Sequence, residues 1–220
     1  MPGTPLYEQY KKGLYNPLTT EEAAEIISEA KRYVPKWLRI TRIQRDIPTK
    51  VTIAGVDRTN LRQIVHEKLK DKGIKCNCIR CRESGRAKKI ENVDIYVEEY
   101  QAQKGKEFFI SAEDKKNDVL IGYCRLRFPH QFLRKEITEN SALLREIHIY
   151  SPQVELGKTN EKSQQHRGFG AKLMEKAEDI CKENDKEKLI VISGIGVKQY
   201  FEKLGYKKEG PYISKIFWKR

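Results

Sequence analysis

No stretch of this chain approaches the roughly 18 consecutive apolar residues that a membrane-spanning helix requires. The opening residues, MPGTPLYEQYKKG, lack the apolar core of a secretory signal. Cysteine is scarce: there are five, an odd number, and none precedes Cys76. Three of them, Cys76, Cys78 and Cys81, fall within six residues, which suits a metal in a reducing compartment better than disulfides. No internal repeat or low-complexity tract is present. These absences argue against a membrane protein and a disulfide-stapled secreted one, and the expectation is a cytoplasmic protein with no membrane partner.

What is present is a chain of 220 residues, 38% hydrophobic and 34% charged, with a mean hydropathy of −0.73. That composition allows a core beneath a strongly solvated surface, in one large domain or two small ones. The net charge is +13, and it is unevenly placed. Residues 1–30 carry net −3, residues 31–90 carry 18 basic against 5 acidic groups, and residues 91–220 carry net +3. A basic excess confined to one segment is the footprint of a polyanion-binding surface rather than of general solubility.

Thr19 and Glu22 have capping-box spacing, and Ala23, Ile26, Ile27, Ala30 and Val34 follow at helical intervals until Pro35. Trp37 to Ile43 alternates apolar with polar residues, which predicts a half-buried strand. Asn60 is positioned to cap a second helix ending at Gly73. From Asn92 onward the pattern turns to strands: 93–100 and 106–112 around the turn Gln103-Lys104-Gly105, then 119–128 and 143–150. A polar loop (151–165), a helix over 168–183, a strand at 189–193, a short helix at 197–204 and final strands near 205–218 complete the order β-β-β-β-α-β-α-β. That order predicts an α/β sheet with one parallel crossover.

The sharpest motif is Gln165-His166-Arg167-Gly168-Phe169-Gly170, running straight into a helix. Glycine lets the backbone turn tightly and approach a ligand. The first amides of a helix have no internal partner and sit at its positive end, so they form a phosphate cradle. A dinucleotide fingerprint needs a third glycine and a later acidic residue, and a Walker loop needs Gly-Lys-Ser/Thr; neither occurs here. Cys76, Cys78 and Cys81 offer three soft ligands for a structural zinc, with His66 the nearest histidine as a fourth. Cys124 and Cys181 read as small core residues.

The Gln-x-x-Gly-x-Gly frame is similar to the pyrophosphate loop of the GNAT acetyltransferases. The strand Arg145 to Tyr150 before it, and Tyr200-Phe201-Glu202-Lys203-Leu204-Gly205-Tyr206 after it, fit the same family. Further strings more closely resemble the catalytic-subunit family of Elongator: Arg42 to Pro48, Cys76 to Glu83, Leu144 to Tyr150, Val191 to Val197 and Gly210 to Tyr212. The resemblance implies a GNAT-fold α/β domain, with a mixed, mostly antiparallel sheet and flanking helices, over 92–220. It implies a small basic, zinc-binding linker over 58–91 and the tail of a radical-SAM barrel over 1–57. It also implies that the chain is a C-terminal piece with Met1 as an artificial start. The family's S-adenosylmethionine and 4Fe-4S ligands would lie upstream.

The activity so implied is acetyl-CoA-dependent modification of the tRNA wobble uridine. Acetyl-CoA and tRNA are the expected partners, with other Elongator subunits in eukaryotes only. The alternatives are an N-acetyltransferase of proteins or small amines, and an RNA-binding module with a vestigial GNAT fold. The resemblance places acetyl-CoA against Glu146, Ile147, His148 and Ile149, against Gln165, Arg167, Gly168, Phe169, Gly170 and Ala171, and against Phe201. The family usually has two tyrosines where this chain has Tyr200 and Phe201. The second is the usual acid for the leaving thiolate, so Tyr200 is the candidate here. Strand alternation puts Glu146 and His148 on one face and Ile147 and Ile149 on the other. Glu146 and His148 are candidate general bases, although a satisfied polar pair in a sheet is the plainer reading. The expected tRNA contacts are Arg42, Arg45, Arg58, Arg62, Lys68, Lys75, Arg80, Arg82, Arg86, Lys88 and Lys89.

Overall fold

A computed structural model describes residues 1–43, 48–86, 90–150 and 168–217. The chain divides into two compact units, Met1–Cys81 and Arg82–Arg220.

The first unit is helical. A short helix α1 (Pro5–Lys11) precedes α2 (Thr20–Arg32), whose start is the expected capping box. The Thr19 hydroxyl accepts from the Glu22 amide at 3.2 Å, and the Thr19 amide donates to the Glu22 carboxylate at 2.8 Å. Helix α3 (Leu61–Asp71) lies against α2, burying Leu61, Val65 and Leu69 with Ala24 and Ile43. Asn60 makes no side-chain cap; its amide donates to the Gln63 side chain instead. A one-turn helix α4 (Ile79–Arg82) follows the first two clustered cysteines.

The strand expected over Trp37 to Ile43 does not form. The segment opens in a turn, with the Leu38 amide on the Pro35 carbonyl, and its acceptors are taken by other groups. The Arg62 guanidinium donates to the carbonyls of Ile40 and Thr41 at 3.1 and 3.0 Å, and the Ile79 amide donates to the Leu38 carbonyl. With those carbonyls engaged, no ladder is needed to satisfy them.

The second unit is a seven-stranded sheet in the order β1-β2-β3-β4-β5-β7-β6. Its strands are β1 (Asp94–Ala102), β2 (Gly105–Asp114), β3 (Val119–Phe128), β4 (Ser141–Ile149), β5 (Lys188–Val191), β6 (Lys207–Glu209) and β7 (Tyr212–Ile216). All neighbours are antiparallel except β4 and β5, which supply the expected parallel pair. The β1–β2 turn is Gln103-Lys104, both with positive φ (45° and 62°). Helix α5 (Phe169–Glu183) covers one face of the sheet, and the short helix α6 (Lys198–Lys203) follows β5. Leu173, Met174, Ala177, Ile180 and Cys181 of α5 pack on Phe108, Ile110, Cys124, Leu126, Ala142 and Leu144.

Two irregularities shape the site. First, β4 and β5 pair only from Ser141↔Lys188 to Leu144↔Val191, while β4 runs on to Ile149. Beyond Leu144, the edge of β4 that faced β5 has no strand partner among the described residues. Second, the β3–β4 register slips: Arg125 opposes Glu146 and Leu126 opposes Leu144, leaving Arg145 as an extra residue. The slip puts Arg145 and Glu146 together on the face away from α5, and returns Ile147 and Ile149 to the α5 side.

Candidate active site

Gly168 stands at the N-terminus of α5 in the left-handed region (φ +101°), and no side chain caps the helix. A Cβ on Gly168 would meet nothing within 4 Å, so the space before the helix is open among the described residues. The first turn of α5 thus presents the amides of Gly170 and Ala171 at the positive end of the helix, where an anion is favoured. A cavity of about 300 Å³ lies there, lined by Ile147 and Ile149 of β4, by Gly168, Gly170 and Ala171, and by Tyr200 of α6. The edge of β4 beyond Leu144, without a strand partner among the described residues, runs beside it. A diphosphate at the helix end, an amide-bearing arm along the strand edge and an acyl group among the isoleucines is the ligand these parts fit.

Tyr200 is central to this arrangement. Its ring is 39% exposed, and its hydroxyl lies 2.8 Å from where a Cβ on Gly170 would stand. Only glycine at 170 leaves that hydroxyl its place. Burial, its main cause, holds the Tyr200 phenol above its ordinary value, so it stays protonated at neutral pH. Phe201 is different. It is 2% exposed and packs edge-on to Tyr200 and Tyr206, with centroids at 5.2 and 5.9 Å. It does not line the cavity, which corrects the expectation that its ring meets the cofactor: one residue along a short helix turns the side chain from cleft to core. Gln165 and Arg167 lie outside the described residues.

Glu146 and His148 face away from α5, so their side chains do not line the cofactor cavity; what they offer it is backbone. Their carboxylate and imidazole are joined at 3.1 Å. Glu146 also accepts from the Tyr123 hydroxyl at 3.2 Å and pairs closely with the Arg125 guanidinium. Arg125 in turn donates to the Tyr100 hydroxyl at 3.1 Å. Desolvation and the Glu146 charge push the Tyr123 phenol up. Tyr100, Tyr123 and Arg125 had no signal in the sequence, because only strand pairing brings positions 100, 123, 125, 146 and 148 together.

In the first unit the sulfurs of Cys76, Cys78 and Cys81 lie within 4.8 Å of one another. Three Zn–S bonds of about 2.3 Å would set sulfurs roughly 3.8 Å apart, so a modest contraction would form three corners of a tetrahedron. Hydrogen bonds with Cys76 and Cys81 hold the Cys78 thiol well down, while contacts with Cys76 and Cys78 push Cys81 up. Lys31, 1% exposed, has its Nζ 3.8 Å from the Cys81 sulfur. His66 is not part of this group, contrary to expectation: it sits on α3, and the three donors that converge are all cysteines. Cys124 and Cys181 are core residues, and burial pushes Cys181 up to about 12.

The expected RNA contacts divide. Arg82 is a correction: its side chain is 1% exposed and pairs with Glu113 at 2.9 Å, so its charge is engaged inside the second unit. Arg62 ties down backbone carbonyls. Lys68 pairs with Glu21 and Glu25, which offsets its charge. Arg42 and Arg58 are exposed, as is Lys75, and Arg80 is partly so. Arg45, Lys88, Lys89 and the side chain of Arg86 lie outside the described residues. No helix among the described residues is long and apolar enough to cross a membrane.

Residues 1–71 match the Radical_SAM C-terminal domain, and residues 79–206 match the Acetyltransferase (GNAT) family. The chain is 49% identical to the tRNA uridine(34) acetyltransferase of Methanocaldococcus jannaschii, over 97% of this chain and 41% of that protein. It is 43% identical to Elongator complex protein 3 of Schizosaccharomyces pombe, again over 97% of this chain and 41% of the relative. Among solved structures, the archaeal Methanocaldococcus infernus Elp3 with an N-terminal deletion superposes with a TM-score of 0.90 at 44% identity, over 99% of this chain and 53% of that one. The chain thus spans about two fifths of the length of these curated relatives. With its glycine-opened helix, its parted strands and a model match over more than half its length, the chain belongs to the acetyltransferase (GNAT) family.

Proposed function

We propose that this chain supplies acetyl-CoA binding and thioester cleavage for modification of the wobble uridine of tRNA, with the radical chemistry provided by the barrel domain that its relatives carry. The observation that carries the reading is the uncapped start of α5 beside the free edge of β4, with Tyr200 between them. In it, the amides of Phe169, Gly170 and Ala171 hold the pyrophosphate, and the β4 backbone from Glu146 to Ile149 holds the pantetheine arm. Bound acetyl-CoA contributes an activated two-carbon unit. Tyr200 gives its phenolic proton to the departing thiolate. Glu146 and His148 approach from the other face of β4 and orient or deprotonate the attacking group. The three cysteines hold a structural zinc that orders the loop before the acetyltransferase domain.

The relatives named as tRNA uridine acetyltransferases support the acceptor. A tyrosine lining the cavity, Tyr200, supports a working site over a vestigial fold. The test is titration calorimetry of the chain with a non-hydrolysable acetyl-CoA analogue, with and without tRNA. Saturable binding, lost when Gly168 and Gly170 are both changed to valine, is expected. No heat of binding at any analogue concentration would refute the reading. Affinity for tRNA should fall steeply with salt.

A further inference from the structure

On the sheet face opposite α5 is a larger cavity, about 890 Å³, that the cofactor reading does not use. It lies between the β1–β2 turn, the chain after β3 and the point where β4 and β5 part, and Arg127, Arg145, Lys104, His130 and Ile192 are among its lining residues. We propose that this cavity is the acceptor site, and that it takes one nucleotide of a single RNA strand, with its phosphate on Arg127 and Arg145. The proposal rests on the acetyl-CoA reading above and names the acceptor for it.

Three observations carry it. Glu107 is 0% exposed, and one of its oxygens accepts from both Arg127 (2.6 Å) and Arg145 (2.7 Å). A single buried carboxylate thus fixes two guanidiniums side by side and leaves the pair with net positive charge. Their remaining N–H groups match the planar, bidentate demands of a phosphate. Gly105 leaves the room: a Cβ there would stand 2.9 Å from the Arg127 guanidinium. Next, the lining also includes Leu133, Ile137, Leu143 and Ile192. An aliphatic wall beside a cationic pair can cover the face of a base while its phosphate sits on the guanidiniums.

Finally, the register slip at Arg145 sets the phosphate pair directly beside Glu146. The cavity borders Leu143 and Ile192, next to the point where the β4–β5 ladder ends at Leu144↔Val191. An ammonium acceptor, as in a lysine side chain, would be repelled by the same lining.

The test is fluorescence anisotropy of the chain with a short labelled oligoribonucleotide bearing a central uridine, across a salt series. Arg145 is 48% exposed, so Arg145→Ala should fold normally. It should weaken binding by roughly ten- to a hundredfold and flatten the plot of log affinity against log salt by about 0.7. Arg145→Lys should restore most of the slope but only part of the affinity, because a lysine lacks the fork. Binding of the acetyl-CoA analogue should be unchanged in both variants. RNA binding with the same affinity and slope in Arg145→Ala and Arg127→Ala overturns the site and leaves the acetyl-CoA reading intact. Failure of the unaltered chain to bind the analogue overturns the reading beneath it. Acetyl transfer to a lysine peptide, inhibited by Arg145→Ala, overturns the nucleotide as acceptor.

Discussion

Consider the reciprocal substitutions Tyr200→Phe and Phe201→Tyr, which move one hydroxyl between adjacent residues. Tyr200 is 39% exposed and borders the cofactor cavity, so losing its hydroxyl leaves packing intact. Its stability effect should stay within about 0.5 kcal/mol. If it is the general acid, thioester cleavage should fall by roughly 10²- to 10⁴-fold with analogue affinity unchanged. Phe201 is 2% exposed, and the hydroxyl of its neighbour Tyr206 already donates to Glu178 at 2.9 Å. A new hydroxyl buried there costs about 1–3 kcal/mol. In a protein of this size that lowers the thermal midpoint by roughly 2–12 °C, and it restores no activity in the Tyr200→Phe background. Scanning calorimetry reads the first quantity, and release of free thiol from acetyl-CoA reads the second. The alkaline fall in rate should lie above pH 10, because the Tyr200 phenol is raised from 10.0. A stable Phe201→Tyr that restores cleavage to a Tyr200→Phe chain would refute the reasoning, since the acid would then belong to position 201.

Gly122→Ala should destabilise the second unit by about 1–3 kcal/mol, because the new methyl would stand 2.6 Å from the His148 carbonyl and 2.5 Å from Ile149; urea denaturation measures this. Cys78→Ser should abolish zinc release on mercurial titration, whereas His66→Ala should retain it, since His66 is not in the thiol cluster. Asp114 is held down to about 2 from its ordinary 3.8 by the Asn117 side chain and the Glu91 amide. Its contribution to stability is therefore complete above pH 3.8 and is lost as pH falls through about 2. Urea midpoints of Asp114→Asn measured across that window should decline less steeply than those of the unaltered chain.

The succession of elements along the chain, the parallel crossover and the helix opening at Gly168 were all legible, because each leaves a local mark: alternation, a run of apolar spacing, a glycine pair. The capping box at Thr19 was legible for the same reason. The segment from Trp37 to Ile43 misled because alternation marks a half-buried segment, not a pairing partner, and Arg62 took the carbonyls a partner would have used. The roles of Tyr200 and Phe201 depend on which way one short helix is rotated, which no local pattern fixes. Arg82 looked like surface charge because its partner, Glu113, lies 31 residues away. The pairing of Arg127 with Arg145 rests on a carboxylate at position 107 and on a slipped register, neither of which leaves a trace in composition or spacing.

The parallel pair between β4 and β5 has a consequence for how the protein endures heat. Among the described residues, the ladder that joins the first four strands to the last three is four residues long on each strand. A molecule whose own amides line the open part of that seam would behave as a missing strand, completing the sheet rather than merely occupying it. Stability should then rise with ligand concentration as RT ln(1 + [L]/Kd), about 2.7 kcal/mol at a hundredfold excess over Kd. The cofactor would in that sense be one of the protein's structural parts, and its supply in the cell would set how long the folded chain survives.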